Sequence, residues 1–325
     1  MSLPWLVVGE VASGRLTKLS TEVATVARSL ADAARVEARG LVVAAEPDAA
    51  AKELARYTGG PVVAVAIPEL ADEVAPQRVA SEVVARLDAV GHVLLGASPD
   101  GRDVAGIAAA LTGRPVLTNA TGVSWQEDGV IVEMSVFGGK LRTASTFSDG
   151  AGIVTVRPNA VEASPAKAPG EVITEPPGEP RVPTVPVVDR VTETGAQVSL
   201  EDARIVVVGG RGVGGESGFR IVEDLADALG GVVGGTRAAV DSGWIPYARQ
   251  IGQTGKVVKP QLYLALGVSG AIQHKVGMQT AETIVVINRD PDAPVAEFAD
   301  LLVVGDLFEV GPALVAELRA RRGTG

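Results

Sequence analysis

Short apolar runs alternate with amphipathic stretches along most of the chain, and glycine or proline punctuates the junctions. Trp5 to Glu10, Gly40 to Ala45, Pro61 to Ile67 and His92 to Gly96 are near-continuous apolar runs, the pattern of strands buried on both faces. Between them, apolar positions recur at helical spacing. Ser20 to Arg35 carries Val23, Val26, Ala27 and Leu30 on one face, with Ser20 or Thr21 as N-cap. Ala49 to Tyr57, closed by Gly59-Gly60, then Pro76 to Leu87 and Val104 to Leu111, continue the series. Strand and helix alternating through short turns predict a parallel sheet covered on both faces. After Pro115 the pattern changes. Gly122 to Gln126, Val130 to Val136, Lys140 to Phe147 and Ala151 to Val156 read as short strands, with turns at Gly129 and Gly138-Gly139. They predict an antiparallel extension of the first domain, packed toward a partner.

Pro158 to Pro186 holds eight of the 20 prolines, which excludes a helix and favours an extended arm. Apolar positions within Val182 to Val191 can pair as edge strands. A domain boundary is placed near residue 195, so that residues 1–195 (the arm being about 158–195) form one unit and 196–325 another. Leu200-Glu201-Asp202 opens the second. There, Arg204 to Val208, Gly231 to Val233, Leu262 to Leu266 and Thr283 to Ile287 predict strands. Phe219 to Leu229 and Ala271 to Lys275 predict helices, with Ser269 or Gly270 near the N-cap of the latter. The fold class is α/β with two domains, the C-terminal one doubly wound.

Composition narrows the function. The 325 residues suit two domains, and 46% hydrophobic against 21% charged residues describes a globular chain. Aromatics are only 3%, so packing rests on Val, Ala and Leu. A net charge of −10 argues against a nucleic-acid partner. With 0 cysteines and 2 histidines, thiolate sites are excluded and a zinc site is disfavoured, so no metal is expected. The start MSLPWLVVGEVASG lacks the basic and apolar regions of a signal peptide, and no apolar run approaches the roughly 20 residues of a membrane span. A cytoplasmic location is the expectation.

The candidate chemistry sits at turns that follow strands. Gly210, Gly212 and Gly215 fit G-x-G-x-x-G, which on its own points to a dinucleotide and to an NAD(P)-linked oxidoreductase subunit. That fingerprint expects an acid about 20 residues on. The region reads GGVVGGTRAAV, with no acid before Asp241. Arg211 within the turn suits a diphosphate. Polar groups recur after predicted strands at Arg211, Thr236, Thr254, Ser269, Asn288 and Asp306, which a purely structural core does not require. His274 lies just inside a predicted helix start. Trp244 and Tyr247 read as core or interface aromatics rather than ring-stacking groups, and Asp290-Pro291 as a turn. In the first domain, Ser98 to Asp103 reads as a loop whose Asp100-Gly101 is a turn and whose Asp103 caps the next helix. No nucleophile–base pair or acid/base dyad is evident, which fits a carrier rather than an enzyme.

The string PQLYLALGVSGAIQHKVGMQ…INRDPDAP closely resembles the C-terminal pattern of the α subunit of electron transfer flavoproteins. The resemblance runs from about Arg204 to the end and, more weakly, from the N-terminus to about Arg157. It implies an FAD-binding C-terminal domain and an N-terminal domain of nucleotide-binding-like fold that holds no nucleotide, AMP being carried by the β subunit. By that resemblance Arg211, Thr236 and Ser269 line the FAD diphosphate. Gln253 and Thr254 contact the polar edge of the flavin, with the Thr254 hydroxyl near N5. His274 faces the flavin O2 and Arg237 lies against the ring. Asn288, Asp306 and Leu307 hold the adenosine end. Ile251, Gly252, Gly270, Ala271, Ile272 and Gln273 belong to the same binding set. Thr236 stands where the family usually has Ser, which keeps the hydroxyl. Val268 for Ile, Ala281 for Ser and the Val295-Ala296 pair are apolar departures. Reduction places negative charge on the flavin, so a cation at Arg237 and a donor at His274 are expected to raise its electron affinity. The resemblance further implies one FAD per heterodimer with a β subunit, electrons from acyl-CoA dehydrogenases and related donors, and delivery to a membrane quinone oxidoreductase.

Overall fold

The computed structural model describes residues 3–126, 129–136, 141–148, 150–189, 200 and 203–322. The chain divides into two compact units, Met1–Thr192 and Glu193–Gly325. The linker around residue 195, Glu201-Asp202 and the Gly138-Gly139 turn lie outside the described residues.

The first unit runs β1 (Trp5–Gly9), β2 (Val11–Ala12), β3 (Arg15–Leu16), α1 (Lys18–Ala34), β4 (Ala38–Ala44), α2 (Asp48–Thr58), β5 (Val62–Ala66), α3 (Ala75–Arg86), β6 (Val93–Gly96) and α4 (Pro99–Thr112). It continues through β7 (Val116–Gln126), β8 (Gly129–Val136), β9 (Leu141–Ser145), β10 (Ile153–Val156) and β11 (Val172–Glu175). Its large sheet has the order β11-β5-β4-β1-β6-β10-β7-β8-β9. Alternate residues of each central strand face opposite layers. Val7, Val42 and Leu94 pack with α1 and α2 residues such as Val23 and Leu54, while Leu6, Val8 and Leu41 pack with Val83 and Val104 of α3 and α4. Burial on both faces explains why these strands read as unbroken apolar runs.

Several local expectations are corrected. The N-cap of α1 is Thr17, whose hydroxyl accepts the Ser20 N–H, because the Ser20 hydroxyl is taken by the Glu10 N–H at 2.8 Å. Helix α4 begins at Pro99, so 98–103 is not a loop. Ser98 is the cap, accepting the Gly101 N–H at 2.9 Å, and Pro99 fits the first helical turn, where no N–H is needed. Asp103 lies inside the helix.

Strands β7, β8 and β9 form the expected antiparallel set, but β10 does not belong to it. It lies parallel between β6 and β7, with all four residues buried. An interior parallel strand needs apolar residues on both faces, and Ile153-Val154-Thr155-Val156 supplies them. The proline-rich segment is extended, but its strand is β11, added parallel to β5. Within Val182 to Val191 the described pairing is a single bridge, Glu73 with Pro186, flanked by bonds from Val74 N–H to the Val185 carbonyl and from Val187 N–H to the Asp72 carbonyl.

The second unit runs β12 (Ile205–Gly209), α5 (Phe219–Leu229), β13 (Val232–Gly235), α6 (Arg237–Asp241), β14 (Leu262–Leu266), α7 (Ile272–Met278), β15 (Thr283–Asn288), β16 (Leu301–Val304) and α8 (Leu307–Arg322). Its sheet, β13-β12-β14-β15-β16, is parallel throughout. One face buries Val206, Val208, Tyr263 and Ala265; the other buries Val207, Leu264, Leu266 and Ile287 under α5 and α8.

Candidate cofactor site

Because all five strands of the second sheet point the same way, their carboxyl ends share one edge. The chain leaves that edge at Gly210-Arg211, Thr236-Arg237, Gly267 to Ser269, Asn288 and Gly305-Asp306. Strand order reverses between β12 and β14, and an open α/β sheet forms its ligand crevice at such a switch point. Here the two strand ends meet backbone to backbone. Gly210 and Gly212 donate to the carbonyls of Leu266 and Gly267, each at 2.9 Å. A Cβ on Gly210 would lie 2.4 Å from the Gly267 oxygen. No side chain fits between these loops, so their polar backbone is presented directly to whatever occupies the crevice.

Five of the six predicted polar positions thus lie on one edge. The sixth, Thr254, does not follow a strand. It sits in a turn, 251–255, that the Ile251 N–H ties to the Gly235 carbonyl at the end of β13, and the Gln253 N–H to the Gln273 carbonyl in α7. Gln253, Thr254, Arg211, Arg237, Ser269, Ala271, Ile272 and Gln273 are exposed, whereas Ile251, Gly252, Gly270 and Leu307 are buried. Thr254 Oγ accepts from Gln250 Nε2 at 3.0 Å, which leaves its own hydrogen to donate outward. The exposed Tyr247 donates its hydroxyl to the Thr254 carbonyl at 2.7 Å. Tyr247 and the buried Gln250 were not among the expected site residues. Tyr247, read from the sequence as a core or interface aromatic, is exposed in this unit, and for Gln250 the sequence signal was its proximity to the Gly252–Gly255 turn.

Three buried polar side-chain atoms among the described residues have no hydrogen-bond partner: Gln77 Oε1 and Arg78 Nε in α3, and Thr236 Oγ after β13. Leaving a buried hydroxyl unpaired costs roughly 1–3 kcal/mol. Thr236 follows β13, Arg211 follows β12 and Ser269 follows β14, three successive strands of the sheet. The close-packed glycine loops after β12 and β14, with Arg211 and Ser269 exposed on them, fit a diphosphate-bearing cofactor.

Other positions are committed within the chain. Asn288 donates from Nδ2 to the Val268 carbonyl at 2.9 Å and accepts the Asp290 N–H at 3.1 Å, bracing the loop after β14. Asp306 accepts the Phe308 N–H at 2.9 Å and pairs with Arg289 at 2.6 Å; these two contacts, in that order, hold its carboxyl below the usual range. The N-cap of α7 is Ala271 with no side-chain bond, in place of Ser269 or Gly270.

His274 requires the largest revision. The ring is buried, with Nε2 2.6 Å from the Tyr263 hydroxyl and Nδ1 3.0 Å from the Ile251 carbonyl. Burial lowers its pKa to about 4, the Ile251 contact offsetting this in part. Both nitrogens are engaged, so the imidazole has no spare ring N–H for a ligand.

The NAD(P) reading fails on structure as well as on pattern. Helix α5 starts only at Phe219, after a short helical turn at Arg211–Val213, so Gly215 does not open the helix as the dinucleotide fingerprint requires. Strand β13 ends in Gly234-Gly235-Thr236 without a carboxylate for a ribose.

The electron transfer flavoprotein domain family matches residues 5–180, and the electron transfer flavoprotein FAD-binding domain family matches 199–279. The chain is 41% identical over 323 residues to electron transfer flavoprotein subunit alpha of Mycobacterium leprae, covering 98% of this chain and 99% of that one. The chain belongs to the electron transfer flavoprotein α-subunit family. A second relative is the subunit alpha of Mycobacterium tuberculosis, 42% identical over 323 residues with the same coverage. Protein FixB of Azorhizobium caulinodans is 35% identical over 331 residues, 98% of this chain and 88% of that one. Membership in the electron transfer flavoprotein family accounts for the two domains.

Proposed function

We propose that the chain is the FAD-holding subunit of a two-subunit electron carrier. The observation that carries the reading is the glycine-lined crevice between the ends of β12 and β14, at the switch point of a domain that matches an FAD-binding family. Bound FAD supplies a ring that takes up and releases electrons. Arg211, Thr236 and Ser269 line its diphosphate. Gln253 and Thr254 face the polar edge of the ring, Thr254 through the hydrogen that Gln250 leaves free. Arg237, exposed at the start of α6, adds positive charge near the ring. Asn288, Asp306 and Leu307 shape the adenosine end, Asn288 by holding the loop after β14.

The partner is a β subunit carrying AMP, with one FAD per heterodimer. Acyl-CoA and related dehydrogenases donate, and a membrane quinone oxidoreductase accepts. The donors and cations of the site, Ser269, Thr254, Arg211 and Arg237, suit an electron carrier. No helix among the described residues is long and apolar enough to cross a membrane, and a cytoplasmic location is part of the proposal. The visible absorption spectrum of the purified chain, with and without its β subunit, tests the reading. A flavin spectrum retained through gel filtration is expected. A colourless complex with nicotinamide-dependent turnover would reject it.

A further inference from the structure

We propose that Tyr263 is a positioning residue of the cofactor site: through His274 it fixes the 251–255 turn that presents Gln253 and Thr254. This rests on the FAD reading above. Tyr263 lies mid-strand in β14, registered against Val206 of β12 and Ile284 of β15, and is 0% exposed. A phenol buried to that degree needs a partner, and its hydroxyl lies 2.6 Å from His274 Nε2. On the other side of the imidazole, Nδ1 is 3.0 Å from the Ile251 carbonyl. A carbonyl only accepts, so Nδ1 carries the ring proton. Nε2 is then a lone pair, and the phenol donates to it. Burial keeps the phenol protonated and the imidazole neutral, consistent with that assignment.

The chain of bonds runs from the rigid centre of the sheet to the first residue of the turn. Beyond Ile251 the turn is clamped against α7. Gly252 has φ +146°, and a Cβ on Gly277 would lie 2.4 Å from the Gly252 nitrogen. A shift of the imidazole therefore moves the Ile251 carbonyl, and with it the turn. Protonation, or loss of the phenol, strands one hydrogen-bonding atom in an apolar interior. Tyr263 thus sets the site from the core of the sheet, and His274 acts as a strut.

The test uses the full chain with its β subunit and compares wild type, Tyr263→Phe, His274→Gln and His274→Leu. Nitrogen-15 NMR of the imidazole, with and without FAD, is expected to show the neutral Nδ1–H tautomer in wild type and in Tyr263→Phe, with the Nε2 resonance displaced in the variant by loss of the phenol's hydrogen bond. FAD affinity of Tyr263→Phe is expected to fall about tenfold, the equivalent of one buried hydrogen bond, with a shifted flavin potential. Glutamine can accept from the phenol and donate to the Ile251 carbonyl, so His274→Gln should retain FAD better than His274→Leu. An Nε2–H tautomer in wild type overturns the inference, as does equal retention by those two variants. Lowered stability of Tyr263→Phe with unchanged affinity and potential, where wild type holds flavin, also overturns it and leaves the FAD reading intact. A wild-type complex without flavin removes both.

Discussion

Gly212 donates its N–H to the carbonyl of Gly267 at 2.9 Å, and a Cβ on either glycine would lie 2.7 Å from the Cα of the other. This contact joins the ends of β12 and β14 at the point where strand order reverses. Gly267 also has φ +59°, which a side chain rarely adopts. Gly267→Ala combines that strain with backbone overlap, so the second unit should lose at least about 2 kcal/mol. Urea unfolding read by circular dichroism measures it, and a midpoint matching wild type would contradict the contact.

Thr236→Val replaces the orphan hydroxyl with a methyl group of similar shape. The protein without FAD should gain about 1 kcal/mol, because a buried unpaired polar group is removed. Flavin retention should fall at the same time. Calorimetry without FAD and flavin content after gel filtration read the two effects, and the opposing signs separate a ligand-directed hydroxyl from a structural one.

Arg237 and Asp241 form a 3.3 Å pair with both side chains mostly exposed. Such pairs contribute little, so Arg237→Ala should change stability by less than about 0.5 kcal/mol. The flavin potential should fall, because positive charge near the ring favours its reduced form. A shift of one tenfold step in the equilibrium corresponds to about 1.4 kcal/mol. Redox titration with an unchanged midpoint would remove Arg237 from the site.

His92 is buried against Trp5 and accepts the Gly152 N–H at Nδ1. Burial, and then the nearby Arg114 charge, lower its pKa from 6.5 to about 4. Between those values the unfolded chain binds the extra proton, so stability is present above pH 6.5 and is lost as pH falls toward 4. The slope approaches about 1.4 kcal/mol per pH unit. His92→Gln should flatten the dependence of the urea midpoint over that window, and a slope equal to wild type would contradict the burial argument.

The strand cores were legible because burial on both faces writes unbroken apolar runs into the chain, and Leu262 to Leu266 and Phe219 to Leu229 match the structure residue for residue. Pairing direction was not legible. Ile153 to Val156 has the burial of a parallel interior strand, but its neighbours in sequence are antiparallel, and only the sheet reveals its place between β6 and β7. Helix starts failed where a nearer acceptor or donor competed, as with Ser20 and Glu10.

Sequence alone determined the alternation of strands and helices, the glycine-rich turns after them, and the family, because each is written in local pattern or in a long string of residues. Tertiary structure alone decided which polar groups remain available. The Thr236 hydroxyl is buried without a partner, while His274 is spent on Tyr263 and Ile251, 11 and 23 residues away in the chain. Hydrogen bonding depends on which atoms meet in space, and no spacing along the chain encodes that.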